Sequence, residues 1–430
     1  MNLPSRVICL QLDSMSDIMT KNIGIRGMTM ENMTILSKTM LERAIRIQSV
    51  SQAAKVLSDA GNMRTLGDIL KFYSHSENPK TMLVDGLMSI TPTANRDSVD
   101  KKVRNWLSGR TGSVSKQDAF ILSRVLDLDL DKTDVFLKQV TGEGIHWRNP
   151  EDIVWSYGIS HSYTYQQIAQ LLERAVRFIE QAKTVKEAIP QGYTAGVKNA
   201  LEAPFSGSEE DLLDYLAREQ DSLGVFHNTA YRLFMQYIKL LENGYSEDDL
   251  ESTFKEMDKD EKKKAQMRID GDIGPHKSGR YTTLDILEAY LYRKMIPATK
   301  KGEPKNMFTG IQRSIRQNWP DETTISKIKN RELDVSRKVL ILLFLATDGS
   351  ESEYEELDED EDILTRDKIF KSIYTRLNLM LRSCGFQLLD PRSPFDWMVL
   401  YSICADEFWD VDQRLRDILL AMFPDGNENQ

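Results

Sequence analysis

Cysteine and histidine are both scarce. Only Cys9, Cys384 and Cys404 occur in 430 residues. An odd, sparse set excludes a disulfide framework and fits free thiols in a reducing compartment, hence a cytoplasmic protein. Cys384 and Cys404 sit in apolar contexts that suit core positions. The five histidines, His75, His146, His161, His227 and His276, are scattered. No His-Glu-x-x-His or Cys-x-x-Cys spacing exists, so no metal site and no cofactor is expected. Phosphate-cradling signatures are missing too: there is neither a Gly-x4-Gly-Lys-Ser/Thr run nor a Gly-x-Gly-x-x-Gly run. Carboxylates are plentiful but lie in solvated runs, and no catalytic pair stands out. A non-enzymatic protein is expected.

No stretch of about 20 apolar residues is present, so no membrane span is expected. The N-terminus has no basic flank joined to a long apolar core, which argues against a secretory signal. An overall basic footprint is also lacking. The formal net charge is -10 and the pI about 5.3, so any nucleic-acid contact has to use local basic patches.

What is present is helical periodicity, and it predicts an all-α fold. Residues 1–62 are rich in Met. From Met33 through Leu36, Met40, Ala44 and Ile47 to Ala54 and Leu57, apolar residues recur at helical spacing, and Gly61-Asn62 marks a stop. This face either packs on the main body or offers a partner or homodimer surface, since flexible Met suits adaptable contacts. Residues 65–140 divide into five short helices. Thr65 opens the first, Asn78-Pro79 separates it from the second, Ser108-Gly109 ends the third, and the last two start near Ser113 and Asp131.

A helical bridge follows over 161–245. It begins with a long helix from Tyr165. Ser208 then caps an acidic first turn of Glu209-Glu210-Asp211. Phe226-His227-Asn228-Thr229-Ala230-Tyr231 is a distinctive run that reads most simply as a helix entry capped by Asn228 or Thr229, with a binding spot as the alternative. Residues 246–281 form a charged, Gly-rich linker, and 351–362 an acidic insertion.

The strongest pattern is self-similarity. Arg148, Pro150, Asp152 and Tyr157 recur at identical spacing as Arg392, Pro394, Asp396 and Tyr401. Upstream, Val114-Ser115-Lys116 parallels Val335-Ser336-Arg337, Val103 and Trp106 parallel Ile325 and Ile328, and Ile69-Leu70 with Tyr73 parallels Ile286-Leu287 with Tyr290. The expected architecture is a first unit at 63–160 and a second at 282–425, with an N-terminal extension at 1–62. Arg-x-Pro-x-Asp is read as a helix start: Pro enters the first turn, Asp faces the positive helix end, and the preceding Arg pairs with that Asp.

Val99 to Gln139 resembles the second half of a phage-repressor-type (Cro/C1, or xenobiotic-response-element) helix-turn-helix domain. The resemblance rests on Trp106-Leu107-Ser108-Gly109 and Leu126-Asp127-Leu128. In the second unit, Thr324 to Asn330 resembles that family's recognition helix, and Val335 to Gly349 the helix after it. The whole chain is also similar to helix-turn-helix-containing proteins of Firmicutes. The resemblance implies a DNA-binding transcriptional regulator. It assigns base or phosphate contacts to Lys101, Lys102, Arg104, Asn105 and Arg110, and to Thr323, Thr324, Ser326, Lys327, Lys329, Asn330 and Arg331.

Local charge agrees. Residues 96–125 carry seven basic and three acidic side chains, and 300–338 carry ten and five. The alternative is a non-catalytic scaffold of a bacterial multi-protein system, such as phage defence, that binds a protein through the Met-rich N-terminal helix or the bridge.

Overall fold

The computed structural model describes residues 34–59, 61–91, 94–184, 200–244, 296–297, 307–347, 362–405 and 410–424. Within them the chain is all-α, with no strand and a lone antiparallel β-bridge. The Met-rich segment before Thr34, the linker 246–281, the block around Ile286 and Tyr290, and nearly all of the acidic insertion lie outside the described residues.

The helices start where local chemistry supplies a partner for their first N–H groups. After α1 (Ile35–Arg46) and α2 (Val50–Ser58), α3 (Leu66–Ser74) opens on a capping box between Thr65 and Asp68. Asn78 caps α4 (Pro79–Ile90), with Pro79 in its first turn, and Asn95 caps α5 (Arg96–Leu107). Ser115 caps α6 (Lys116–Val125), Asp129 caps α7 (Leu130–Thr141), and Asn149 caps α8 (Pro150–Ser160). Next come α9 (Tyr165–Thr184), α10 (Glu202–Ser206), α11 (Glu209–Arg218), which has a Ser208–Asp211 capping box, and α12 (Asn228–Gly244). The remaining helices are α13 (Gly310–Arg316), α14 (Glu322–Lys329), α15 (Arg337–Thr347), α16 (Asp362–Ser383), α17 (Pro394–Ile403) and α18 (Asp410–Met422).

The apolar face expected to run unbroken from Met33 to Leu57 is divided between α1 and α2, with extended backbone at Ile47 and Ser49. Neither Pro nor Gly breaks it. The break frees the Gln48 carbonyl, which accepts the Tyr401 hydroxyl at 3.1 Å, and Ile47 O accepts from Arg414 at 3.2 Å. Met40, Ala44, Ala53 and Leu57 are buried in one core with Trp397, Tyr401 and Leu415. This face therefore packs on the main body.

The cores divide the helices differently from the expected order of unit, bridge and unit. Helices α3 to α8 build one apolar cluster, and α8 to α11 build a second that continues from it through α8. The third cluster gathers α1, α2 and α12 to α18. The segment read as a bridge is thus split: α9 to α11 pack on α8, while α12 lies against α15. The extensive helix-on-helix packings all lie within α3–α11 or within the remaining group. Loops and polar side chains join the two groups.

Several contacts occur twice. Asp152 accepts from the His146 backbone N at 2.7 Å and from Lys116 Nζ at 2.7 Å. Asp396 accepts from the Asp390 backbone N at 2.9 Å and from the Arg337 guanidinium at 2.7 and 2.8 Å. Arg148 O accepts from Gly224 N, and Arg392 O from Arg64 N. The Tyr157 hydroxyl donates to Gly207 O, between α10 and α11, as Tyr401 does to Gln48 O, between α1 and α2.

These contacts correct the expected pairing of each Arg with the nearby Asp. Arg148 Nε donates instead to Ser222 O at 2.7 Å. The cation that reaches each Asp comes from the start of a helix far back in the sequence, Lys116 of α6 and Arg337 of α15.

Candidate functional site

Two places on the molecule are candidates for function. The first is the pair of helices α5 and α14. In α5, Val103 and Trp106 are buried, and Lys101, Lys102 and Arg104 are exposed. In α14, Ile325 and Ile328 are buried, and Ser326, Lys327, Lys329 and Asn330 are exposed.

The two helices end alike. Ser108 N bonds Arg104 O and Asn330 N bonds Ser326 O. Gly109 N bonds Trp106 O, and Arg331 N bonds Ile328 O. Arg110 N and Thr111 N then return to Asn105 O, as Glu332 N and Leu333 N return to Lys327 O. Both ends need a left-handed residue, supplied by Gly109 (φ 65°) and by Arg331 (φ 57°).

Other candidate residues sit where their neighbours allow. Asn105 is half-buried, and Arg110 is exposed in the loop after α5. Lys102 Nζ reaches Asp118 at 2.6 Å, and Arg104 Nε reaches Asp100 at 2.8 Å. Surface pairs of this kind are worth about 1 kcal/mol or less. Thr323 is exposed, whereas Thr324 is half-buried and its hydroxyl is held by Asp321 at 2.7 Å.

Arg331 does not join the exposed set. It is buried, its guanidinium donates to Asn228 Oδ1 at 2.6 Å, and it lies over the rings of Tyr231 and Phe226. The left-handed turn that ends α14 directs this side chain inward against α12. Opposite, Gln317 ties the two helix regions together by accepting from Gly112 N at 2.7 Å and donating to Ser113 Oγ at 2.8 Å.

The second place is the joint between the two helix groups. Glu143 and Phe386 form the antiparallel bridge. Gln387 N donates to Gly142 O at 3.1 Å, and Gly144 N donates to Gly385 O at 3.3 Å. Gly142 (φ 90°) and Gly385 (φ 76°) allow both segments to turn here.

Beneath the bridge runs a chain of charges. Lys116 Nζ contacts Asp152 at 2.7 Å and Glu143 at 3.3 Å. Glu143 faces His227 Nε2 at 3.8 Å, and His227 Nδ1 bonds Asp334 at 2.6 Å. The His146 ring stacks on His227, with centroids 4.1 Å apart and planes 16° from parallel.

Burial penalises a charge on Lys116, yet Asp152 and Glu143 outweigh it and hold the ammonium above the usual lysine range. Burial likewise opposes charging His227, but the hydrogen bond and charge of Asp334, with Glu143 behind, raise its pKa. His146 goes the other way. Burial first, then His227, Lys116 and Arg148, hold it well below 6.5.

A small cavity of about 30 Å³ adjoins the rings and is lined by Arg148, Asn228, Ser383 and Cys384 among others. Burial pushes the Cys384 thiol up to about 12, so it stays protonated and unreactive at neutral pH. Cys404 is also buried, and neither thiol is in a disulfide among the described residues. Among the described residues no cluster of His, Cys, Asp and Glu has the geometry to hold a metal ion, and no helix is long and apolar enough to cross a membrane.

Sequence reasoning missed this joint. It treated His146 and His227 as isolated and gave Glu143 and Asp334 no role. A usable signal existed: Lys116 and Arg337 hold the same place in the repeated pattern as do Asp152 and Asp396, so a cation and an acid recur together.

Among known proteins, no family model, curated protein or solved structure matches the chain.

Proposed function

We propose that the chain belongs to the class of helix-turn-helix-like, non-catalytic binding proteins, built from two diverged copies of one helical unit. Within that class, our reading is a cytoplasmic, bacterial DNA-binding regulator whose α5 and α14 are the recognition helices.

The observation that carries this is the correspondence between α5 and α14. They share the buried apolar pair, exposed lysines on the opposite face, and the hydrogen-bond pattern that ends each helix. On such a face Lys101, Lys102, Arg104, Arg110, Lys327 and Lys329 neutralise phosphates, while Asn105, Ser326 and Asn330 are the candidates for base edges. The reciprocal hydrogen bonds about Glu143 and Phe386 support a pseudo-twofold relation between the copies. A pseudo-twofold protein calls for an operator with two related half-sites. A titration on genomic fragments at low and moderate salt tests the proposal. Affinity that falls steeply with salt supports it, and salt-independent binding or none refutes it.

A second reading, a protein-binding scaffold in a multi-protein system such as phage defence, draws on the exposed Phe72 of α3 and Val135 of α7, which are 68% and 47% accessible. Apolar side chains of that exposure suit a protein partner. Co-purification of a defined partner that is lost in Phe72→Ser would favour it.

A further inference from the structure

We propose that the joint between the two helix groups is a proton-operated latch, closed when the stacked His146–His227 pair carries a single proton, on His227. This goes beyond the DNA-binding reading and stands whatever the chain binds.

The geometry places the two rings at a seam that is otherwise held by loop and polar contacts: the Glu143–Phe386 bridge, the Gln317 bonds to Gly112 and Ser113, and Arg64 against Arg392 O and Asp390. His146 lies just before α8 in one group, and His227 at the entry to α12 in the other. They meet face to face at 4.1 Å, beside the bridge hydrogen bonds of Gly144 and Gln387. His227 is set up to hold a proton: its Nδ1 faces Asp334 at 2.6 Å, its Nε2 faces Glu143 at 3.8 Å, and its backbone N donates to Asp334 at 3.1 Å.

His146 has no such support. It is 6% exposed, and its Nδ1 has no hydrogen-bond partner in the protein. Around the pair, the group of α3–α11 presents Lys116 from α6, Glu143 from the α7 end, and Arg148 and Asp152 from the start of α8. The other group presents Asp334 ahead of α15, Cys384 after α16, and Arg232 of α12, whose charge acts on Arg148 and Cys384. Asp152 is already engaged by Lys116, so no free carboxylate meets a second proton.

A second proton, on His146, would therefore stack two cations at 4.1 Å beside Lys116 and Arg148. Removing the first would leave Asp334 and Glu143 facing each other across a neutral ring. Opening the joint relieves either state.

The two histidines act in opposite directions. His146 is harder to protonate when the joint is closed than when it is open, so closure weakens as pH falls below 6.5, the ordinary histidine value. His227 is easier to protonate when closed, so its contribution is complete below 6.5 and is lost as pH rises through its raised pKa. Closure is strongest near 6.5.

The test is amide hydrogen exchange of the full chain, read as protection factors for Gly144 and Gln387 across pH, with the Leu126 amide inside the α3–α8 core as control. The expected result is a bell-shaped profile for Gly144 and Gln387, falling up to tenfold per pH unit on the acid side, with Leu126 flat. His146→Phe keeps a stacking ring and should flatten the acid limb alone. Should that variant fail to fold, imidazole titration of the wild-type chain by NMR gives the same answer: His227 titrates above 6.5, and His146 remains neutral well below it. A flat profile for the bridge amides, an equal loss at Leu126, or both rings titrating near 6.5 would overturn the latch.

Discussion

Arg337 and Asp396 form a bidentate ion pair across the start of two helices, with Nη1 and Nη2 donating to the two carboxylate oxygens at 2.7 and 2.8 Å. Asp396 is 1% exposed. The guanidinium also donates to Gln387 O at 2.7 Å and to Leu388 O at 3.3 Å, so it pins the segment that enters the joint. Removing one partner strands a buried charge. Asp396→Asn should lower unfolding stability by about 3–5 kcal/mol, measured by urea denaturation. Replacing both partners with apolar residues, Arg337→Met with Asp396→Leu, should cost less than the single change. A smaller loss in the single variant than in the double would refute the assignment.

Lys338 is the neighbour of Arg337 and behaves differently. Its Nζ donates to Ile315 O at 2.8 Å and Gln317 O at 2.5 Å, and it lies over the rings of Trp319 and Phe395. Burial lowers its pKa to about 7, with Asp396 opposing and Arg337 adding to the effect. The folded chain thus resists protonating a group that the unfolded chain protonates near 10.5. Stability from this group is present above 10.5, and it falls as pH drops from 10.5 to about 7. Relative to Lys338→Met, wild-type stability should therefore rise between pH 7 and pH 10, by an amount on the order of a few kcal/mol. Parallel pH profiles for the two proteins would refute the shift.

Helix ends were legible in the sequence because capping is local chemistry. Thr65, Asn78-Pro79, Ser208, Pro150 and Pro394 each act within three or four residues of themselves. What was not legible depended on distant partners. The cation for Asp152 is Lys116 rather than the adjacent Arg148, because Arg148 is drawn to Ser222. The break between α1 and α2 answers to Tyr401 and Arg414, far along the chain. Arg331 reads as a surface cation after a polar helix, but its left-handed backbone carries it inward over the rings of Phe226 and Tyr231. The joint at His146 and His227 could not be read from either residue alone.

The proposed DNA surface makes a separable prediction for two residue types. Lys101 and Lys327 are exposed. Changing both to Ala should weaken binding to all sequences alike and reduce the slope of log affinity against log salt by about 2. Asn105→Ala or Asn330→Ala should instead narrow the gap between specific and nonspecific sites, by about 1–3 kcal/mol for a base contact. Fluorescence anisotropy with specific and scrambled duplexes separates the two effects. An unchanged salt slope in the Lys101/Lys327 double variant would remove α5 and α14 from the interface.

In the proposed duplication, each copy begins with a helix pair that packs on the other copy. α1 and α2 lie at the start of the chain but pack on α17 and α18, and the carbonyl between them receives Tyr401. α10 and α11 lie just ahead of α12 but pack on α8 and α9, and the carbonyl between them receives Tyr157. The loops that follow repeat the exchange, since Arg64 N reaches Arg392 O and Gly224 N reaches Arg148 O. On the proposed duplication, this pattern reads as a dimer with exchanged arms joined into one chain. Cutting between Thr184 and Leu201 should therefore leave two fragments that each lack an arm. Separately, each should expose apolar surface and unfold at lower urea than the intact chain. Mixed, they should form a one-to-one complex, visible by size-exclusion chromatography with light scattering. Placing Asp at Met40, whose carbonyl receives the Trp397 indole and whose side chain is fully buried, should abolish that complex. If either fragment alone matches the intact chain's stability, the arms are not exchanged parts of a shared core, and the duplication loses its structural support.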